Sequence, residues 1–431
     1  MTMGCPENSS WKGCVQDAVR RVFSGGPVYL FFLGLFAVLL VAGIAAGIHS
    51  VYIVGSRHAY GSTREIPLAM LIATYTFFVI TSTGLCLVSS IGHIFGVERF
   101  MPIAKRAVLL SVITIMSGFL VIGLELENPL RLGIYLFLSP NFTSNIWWMG
   151  VLYSFEVVLL ILEFIFILLD NHKASVAAGL LGILFGIAAI SNLGGVFAML
   201  NGREFWYGPY LPIFFIASAF LMGCAAVIFF TVLAYRVHRE PLDRPMADAL
   251  ATVGKLAGVM LAVNLFFTIW RMVTLAVGGT HELLVRDALV SGPFAFNFWA
   301  LEVGLGMILP FALILWSAGK RIGPIFLASA LVIFSSFFVR LDMVVAGQIV
   351  PLYWELGVRE YAKLNAYSPT GHEILVVLAG VGLTGAAFLL GEKVFQGFRE
   401  VEDAGSRFAE VLEDAAQELP SAEKGKVDGS P

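Results

Sequence analysis

The sequence predicts an all-α, polytopic membrane protein with about ten transmembrane helices, and three observations predict it. Apolar residues fill 58% of the 431 positions, while charged residues fill 13%, about half the share of an ordinary soluble domain. The few charged residues fall between long apolar runs rather than within them. Several runs reach the roughly 20 helical residues that cross a hydrocarbon core of about 30 Å. Helices are expected because lipid cannot satisfy open strand edges. This composition excludes a soluble enzyme, a disordered chain and a nucleic-acid binder, and the net charge of −3 says nothing about partners.

The spans follow one another with soft ends. Val22–Ser56, free of Asp, Glu, Lys and Arg, contains the first at 28–50. Ile66–Val97 contains the second at 67–97, and Ala107–Leu124 the third at 104–124. The fourth, 145–170, carries Glu156 and Glu163; the fifth, 173–199, is rich in glycine and carries Asn192. The sixth lies at 211–236, and the seventh, 249–277, holds Lys255 and Arg271. Glu302 sits near the start of the eighth at 293–318; the ninth covers 321–341, and Glu373 opens the tenth at 372–392. Residues 1–27 read as a cytoplasmic lead-in rather than a removed signal peptide, and 393–431 as a charged cytoplasmic tail.

Basic residues orient the chain. With the N-terminus cytoplasmic, the inside segments hold twelve Lys and Arg before the tail and the outside segments eight, Arg340 being counted in a long outer loop from Arg340 to His372. Both termini are therefore expected in the cytoplasm. The outside loops concentrate Trp147-Trp148, Phe205-Trp206-Tyr207 and Tyr353-Trp354 among several prolines. Such residues form either an aromatic belt at the lipid headgroups or a structured face that docks another protein.

Ionisable residues at membrane depth are costly, which marks each as a functional candidate. Glu125 ends the third span; Glu156 and Glu163, seven apart, share one face of the fourth. His93 lies near the cytoplasmic end of the second span, Tyr75 nearer its outer end, and Asp170 closes the fourth. Arg271, Glu302, Arg340, Asp342 and Glu373 form a polar set in the second half. Two readings stand for these groups: interhelical ion pairs, for example Glu302 with Arg271, or a proton path and polar pocket. Desolvation lets a buried carboxyl group exchange protons near neutral pH. Of seven histidines, His93 alone is well inside a span, which argues against a bis-histidine haem. The four cysteines, Cys5, Cys14, Cys86 and Cys224, form no CxxC pair, which argues against an iron–sulfur cluster, a metal centre or a disulfide framework. No soluble catalytic motif is present.

Five strings in order resemble the NrfD/PsrC-like family, the membrane subunits of polysulfide-reductase-type complexes. They are Thr83-Gly84-Leu85, Leu124-Glu125-Leu126-Glu127-Asn128-Pro129, Ser139-Pro140-Asn141-Phe142-Thr143-Ser144, Leu162-Glu163-Phe164 and, in the second half, Trp299-Ala300-Leu301-Glu302. The family pattern at the third helix end is nearer Leu-Asp-Leu-Gly-Arg-Pro, so Glu125 keeps the acid while Asn128 stands where the Arg would be, leaving Arg131 as its substitute. Arg340-Leu341-Asp342-Met343 and Tyr367-Ser368-Pro369-Thr370-Gly371-His372-Glu373 are similar to the longer, ten-helix branch of the DsrP, HmcC and HybB types.

The resemblance implies two four-helix bundles plus flanking helices, the first within 28–210 with a quinone site and the second within 211–392. It implies a subunit of a respiratory oxidoreductase, not catalytic alone, that exchanges electrons between menaquinone or ubiquinone and a periplasmic, ferredoxin-like iron–sulfur subunit. A multihaem cytochrome c, a molybdopterin subunit and other membrane subunits are further expected partners. The chain is expected in a bacterial or archaeal cytoplasmic membrane, without haem, cluster or metal of its own. Relatives' His and Tyr at the quinone map to Tyr75 and Asn192, joined by Glu125, Arg131 and Trp147. Protons are expected along Glu125, Glu156, Glu163, His93 and Asp170. A secondary transporter and a purely structural anchor are the alternatives.

Overall fold

A computed structural model describes residues 25–352, 354 and 364–395. The lead-in up to residue 24, the tail from 396, Tyr353, Arg359 and Lys363 lie outside the described residues. Among those described, every regular element is helical, and ten helices are long and apolar enough to cross a membrane. They are α1 Pro27–His49, α2 Met70–His93, α3 Met101–Glu125, α4 Asn145–Leu168 and α5 His172–Ala198. Then come α6 Tyr210–His238, α7 Arg244–Val277, α8 Asn297–Trp316, α9 Ile322–Ala346 and α10 Gly371–Val394. Each coincides with an expected span, because a long apolar run in lipid satisfies its backbone by forming a helix. Two short helices, Pro129–Leu138 and Thr280–Val290, lie in loops where the sequence predicts no spanning segment.

Packing divides the ten into two four-helix bundles and a flanking pair. Helices α2, α3, α4 and α5 form the first bundle, and α6, α7, α8 and α9 the second, with α2 and α6 as the seam. Sequence order leaves α1 in the first half and α10 in the second, but in space they pack on each other and against α3. The loops preceding α2, α4, α6, α8 and α10 share one end, here called the aromatic face; the shorter loops at the other end form the basic face.

The seam depends on two glycines. A Cβ on Gly84 of α2 would collide with the Ala219 carbonyl of α6, and one on Gly223 with the Gly84 carbonyl. The helices therefore touch backbone to backbone, the close approach that small residues allow in membranes. The flanking pair is held differently: Arg106 of α3 makes a two-pronged ion pair with Glu392 of α10, at 2.6 and 2.9 Å, with both side chains buried.

Two charges sit elsewhere than expected. Helix α9 continues to Ala346, so Arg340 is a buried helical residue, 2% exposed, rather than the first residue of an outer loop. Arg106, counted with the basic loops, is likewise buried. A charge normally marks the end of a span, and here each has internal partners that let it lie within one.

Gly223→Leu is expected to cost at least about 3 kcal/mol, since overpacking without room to relax lies at the upper end of such effects. Gly34→Leu, with nothing near its Cβ position, should leave thermal unfolding of the purified protein unchanged. Arg106→Met should cost about 3–5 kcal/mol by stranding a buried carboxylate, and adding Glu392→Met should recover much of that loss in the same measurement.

Candidate functional site

Buried polar groups of the first bundle form a string from one face towards the other. Near the aromatic face, Tyr75 of α2 and Tyr153 of α4 meet edge to face, with ring centroids 6.1 Å apart, and Phe119 of α3 closes on Tyr153. One helical turn further, Glu156 of α4 is fully buried and accepts a 2.9 Å hydrogen bond from the Thr83 hydroxyl of α2. Two turns beyond lies Glu163, 1% exposed, near Cys86 of α2. At the basic end, His93 Nε2 lies 2.9 Å from Ser175 Oγ, and its ring meets that of His172 edge to face. The Ser175 hydroxyl also lies 2.9 Å from the His172 carbonyl. Asp170 is exposed beyond the end of α4, in a left-handed turn.

Glycines on α5 make room for these acids. A Cβ on Gly186 would stand 2.8 Å from Glu156 Oε1, and one on Gly179 2.7 Å from Glu163 Oε1. Two carboxyl groups seven apart on α4 thus face two glycines seven apart on the antiparallel α5. Tyr153 Oη, Glu156 Oε2 and both Glu163 oxygens are buried without a hydrogen-bond partner among the described residues. A row of unsatisfied oxygens in apolar surroundings is costly for a purely structural element. It suits groups that bind a ligand or carry protons.

Asn192 of α5 lies near the same end and donates to the Asn145 carbonyl at 2.9 Å, which leaves its own carbonyl as an acceptor. The donor of Trp147 is already used, its indole N–H bonding the Leu136 carbonyl of the short helix at 2.8 Å. Arg131 is exposed on that helix, its guanidinium 5.1 Å from the Tyr135 ring centroid. Trp206, expected on an outer docking face, is 2% exposed and anchors α9 through a bond to the Met343 carbonyl.

Glu125 and Glu373 belong to a second constellation, at the aromatic ends of α1, α3 and α10. Glu373 receives the backbone N–H of Gly61 and of Thr370 and the hydroxyl of Tyr367, at 2.8–3.1 Å, and closes a capping box at the start of α10. The structure thus separates it from the polar set of the second half. Tyr60 donates to the Leu124 carbonyl at 2.7 Å. Burial raises the Tyr60 and Tyr367 phenols above their ordinary range, so both remain protonated donors. Glu125 keeps one buried oxygen without a partner. Sequence reasoning does not single out Tyr60, Tyr153, Tyr367, Thr83 or the α5 glycines as site residues, although Thr83 and Gly84 lie within the first string of the resemblance.

This chain belongs to the NrfD family: the family model described as "Polysulphide reductase, NrfD" matches residues 58–351. Among curated proteins, it is 24% identical over 362 residues to the selenate reductase C subunit of Mesobacillus selenatarsenatis, covering 74% of this chain and 82% of that protein. It is 22% identical over 389 residues to the Hdr-like menaquinol oxidoreductase integral membrane subunit of Archaeoglobus fulgidus, covering 87% of this chain and 95% of the relative.

Gly186→Ala should press on the Glu156 carboxyl group and cost about 1–3 kcal/mol. Gly182→Ala, one turn away with its nearest neighbour at 3.8 Å, should be silent in the same thermal unfolding assay.

Proposed function

We propose that the chain is the quinone-interacting membrane subunit of a multi-subunit respiratory oxidoreductase. The observation that carries this reading is the buried row of unpartnered oxygens on Tyr153, Glu156 and Glu163, lying between Tyr75 at one end and His93 at the other. Family membership supports it, as do relatives named as subunits of a selenate reductase and of a menaquinol oxidoreductase.

The residues present suit a quinone head group, which requires hydrogen-bond donors in an apolar setting. Tyr75 and Tyr153 offer hydroxyls, and the Asn192 carbonyl offers an acceptor towards a reduced ring. When bound, a menaquinone or ubiquinone supplies coupled two-electron, two-proton chemistry. Tyr75 and Tyr153 orient the ring, and the apolar packing around them excludes water. Glu156 holds a proton at Oε2 while Thr83 fixes Oε1. Glu163 and His93 continue that proton route towards the basic face, where Asp170 marks the mouth. Glu125 is the exchange group at the opposite end.

Electrons pass to or from an iron–sulfur partner docked on the aromatic face, in a complex that also carries a molybdopterin or multihaem cytochrome c partner. The basic face is cytoplasmic in this reading, as are both termini. The first bundle is the redox half of the protein.

Copurified complex should release quinone on solvent extraction and oxidise a reduced short-chain menaquinone analogue. Tyr75→Phe should lower that turnover, and Glu156→Gln should lower it at least about a hundredfold, the lower end for a positioned proton-transfer group. Absence of quinone from the extract, together with unchanged turnover in Tyr75→Phe and Glu125→Gln, would overturn the reading.

A further inference from the structure

The second bundle holds a separate buried charge cluster, built around an irregular helix. From Asn297 to Ile308, α8 winds as a π-helix before returning to α-helical geometry at Leu309. Pro310, lacking an N–H, cannot bond the Gly306 carbonyl one turn back. Elsewhere in the same segment, the Leu301 carbonyl accepts the Ser335 hydroxyl of α9 at 2.5 Å. Such π segments are frequent at functional sites, and this one carries Glu302.

Glu302 is fully buried. Its Oε1 accepts from Arg271 of α7 at 2.7 Å, while Oε2 has no partner among the described residues. Opposite stands Arg340 of α9, its guanidinium over the rings of Phe214 and Phe215 and one nitrogen donating to Ser218 of α6 at 2.5 Å. Its Nη1 is also buried and unpartnered. Glu302 and Arg340 line the same cavity, together with Ser218, Asn264 and Ser335, and its volume is about 20 Å³. A single water needs roughly 10–15 Å³ by this measure, with two to four polar partners.

We propose that this cavity is a hydration site for one ordered water between Arg340 and Glu302, and that Glu302 is a proton-exchanging group of the second bundle. The water accepts from Arg340 and donates to Glu302. As the pH falls, the Glu302 carboxylate takes one proton from solvent hydronium, which becomes water; as the pH rises, hydroxide takes it back, and no electron moves. The charged and titratable groups facing Glu302 are Arg271 from α7, Arg340 and Asp342 from α9, and Tyr210 from α6. Asp342 is held by the Asn297 amide at 3.0 Å. Two arginines and two acids balance when all are ionised, so one proton on Glu302 leaves the cluster net positive. This site does not rest on the quinone reading, and it lies in the opposite bundle from the α4 string.

The test is infrared difference spectroscopy of the full chain in lipid nanodiscs, stepping the pH in H₂O and in D₂O. A protonated-carboxyl band that shifts in D₂O is expected, absent in Glu302→Gln and retained in Asp342→Asn. Ser218→Ala, a milder change at the cavity wall, should shift that band and provides the same evidence if Glu302→Gln fails to fold. A band that persists in Glu302→Gln, a band removed by Asp342→Asn instead, or no band altered by either Glu302→Gln or Ser218→Ala would overturn the proposal.

Discussion

The α4 acids and the Glu302 cluster both lean on one crossing, where α2 and α6 meet backbone to backbone at Gly84, Ala219 and Gly223. A side chain at either glycine would force the bundles apart. The residues beside the contact hold the interior acids and bases in place. Thr83, next to Gly84, bonds Glu156 of the first bundle. Ser218, next to Ala219, bonds Arg340 of the second. The same seam therefore positions both buried polar centres, one on each side.

Charge at membrane depth is met in three different ways. Arg106 and Glu392 satisfy each other through two short contacts, which suits a fastening. Glu373 collects backbone and hydroxyl donors and serves as a helix cap. The α4 carboxyl groups and the Glu302 cluster retain unpartnered buried oxygens. An incompletely satisfied buried group lowers stability, and its persistence in a row or beside a cavity is most economically explained by chemistry. That contrast separates the satisfied charges from those proposed to be functional better than burial does.

Much of the fold was legible in the sequence because lipid imposes a simple requirement. Charge-free runs became helices, and the seven-residue spacing of Glu156 and Glu163 placed both on one buried face. Other features depend on contacts distant in sequence and leave no local mark. The pairing of α1 with α10 is one, since each looks like an ordinary span. Arg340 and Arg106 resemble loop charges until their internal partners are known. Tyr153 reads as one aromatic residue among many, and its edge contact with Tyr75 exists only after α2 and α4 pack. The π segment of α8 could be suspected from Pro310, but Pro310 alone does not reveal its length or the inward placement of Glu302.

The clasp between Arg106 and Glu392 also sets the order in which the protein can be completed. The two partners stand 286 residues apart, with six further spanning helices between the one that carries the arginine and the one that carries the acid. During synthesis, α3 enters the bilayer long before its carboxylate exists. The bundle closes on itself only when α10 arrives to lie against α1. A nascent chain halted earlier would hold that buried arginine before the acid that clasps it has been made.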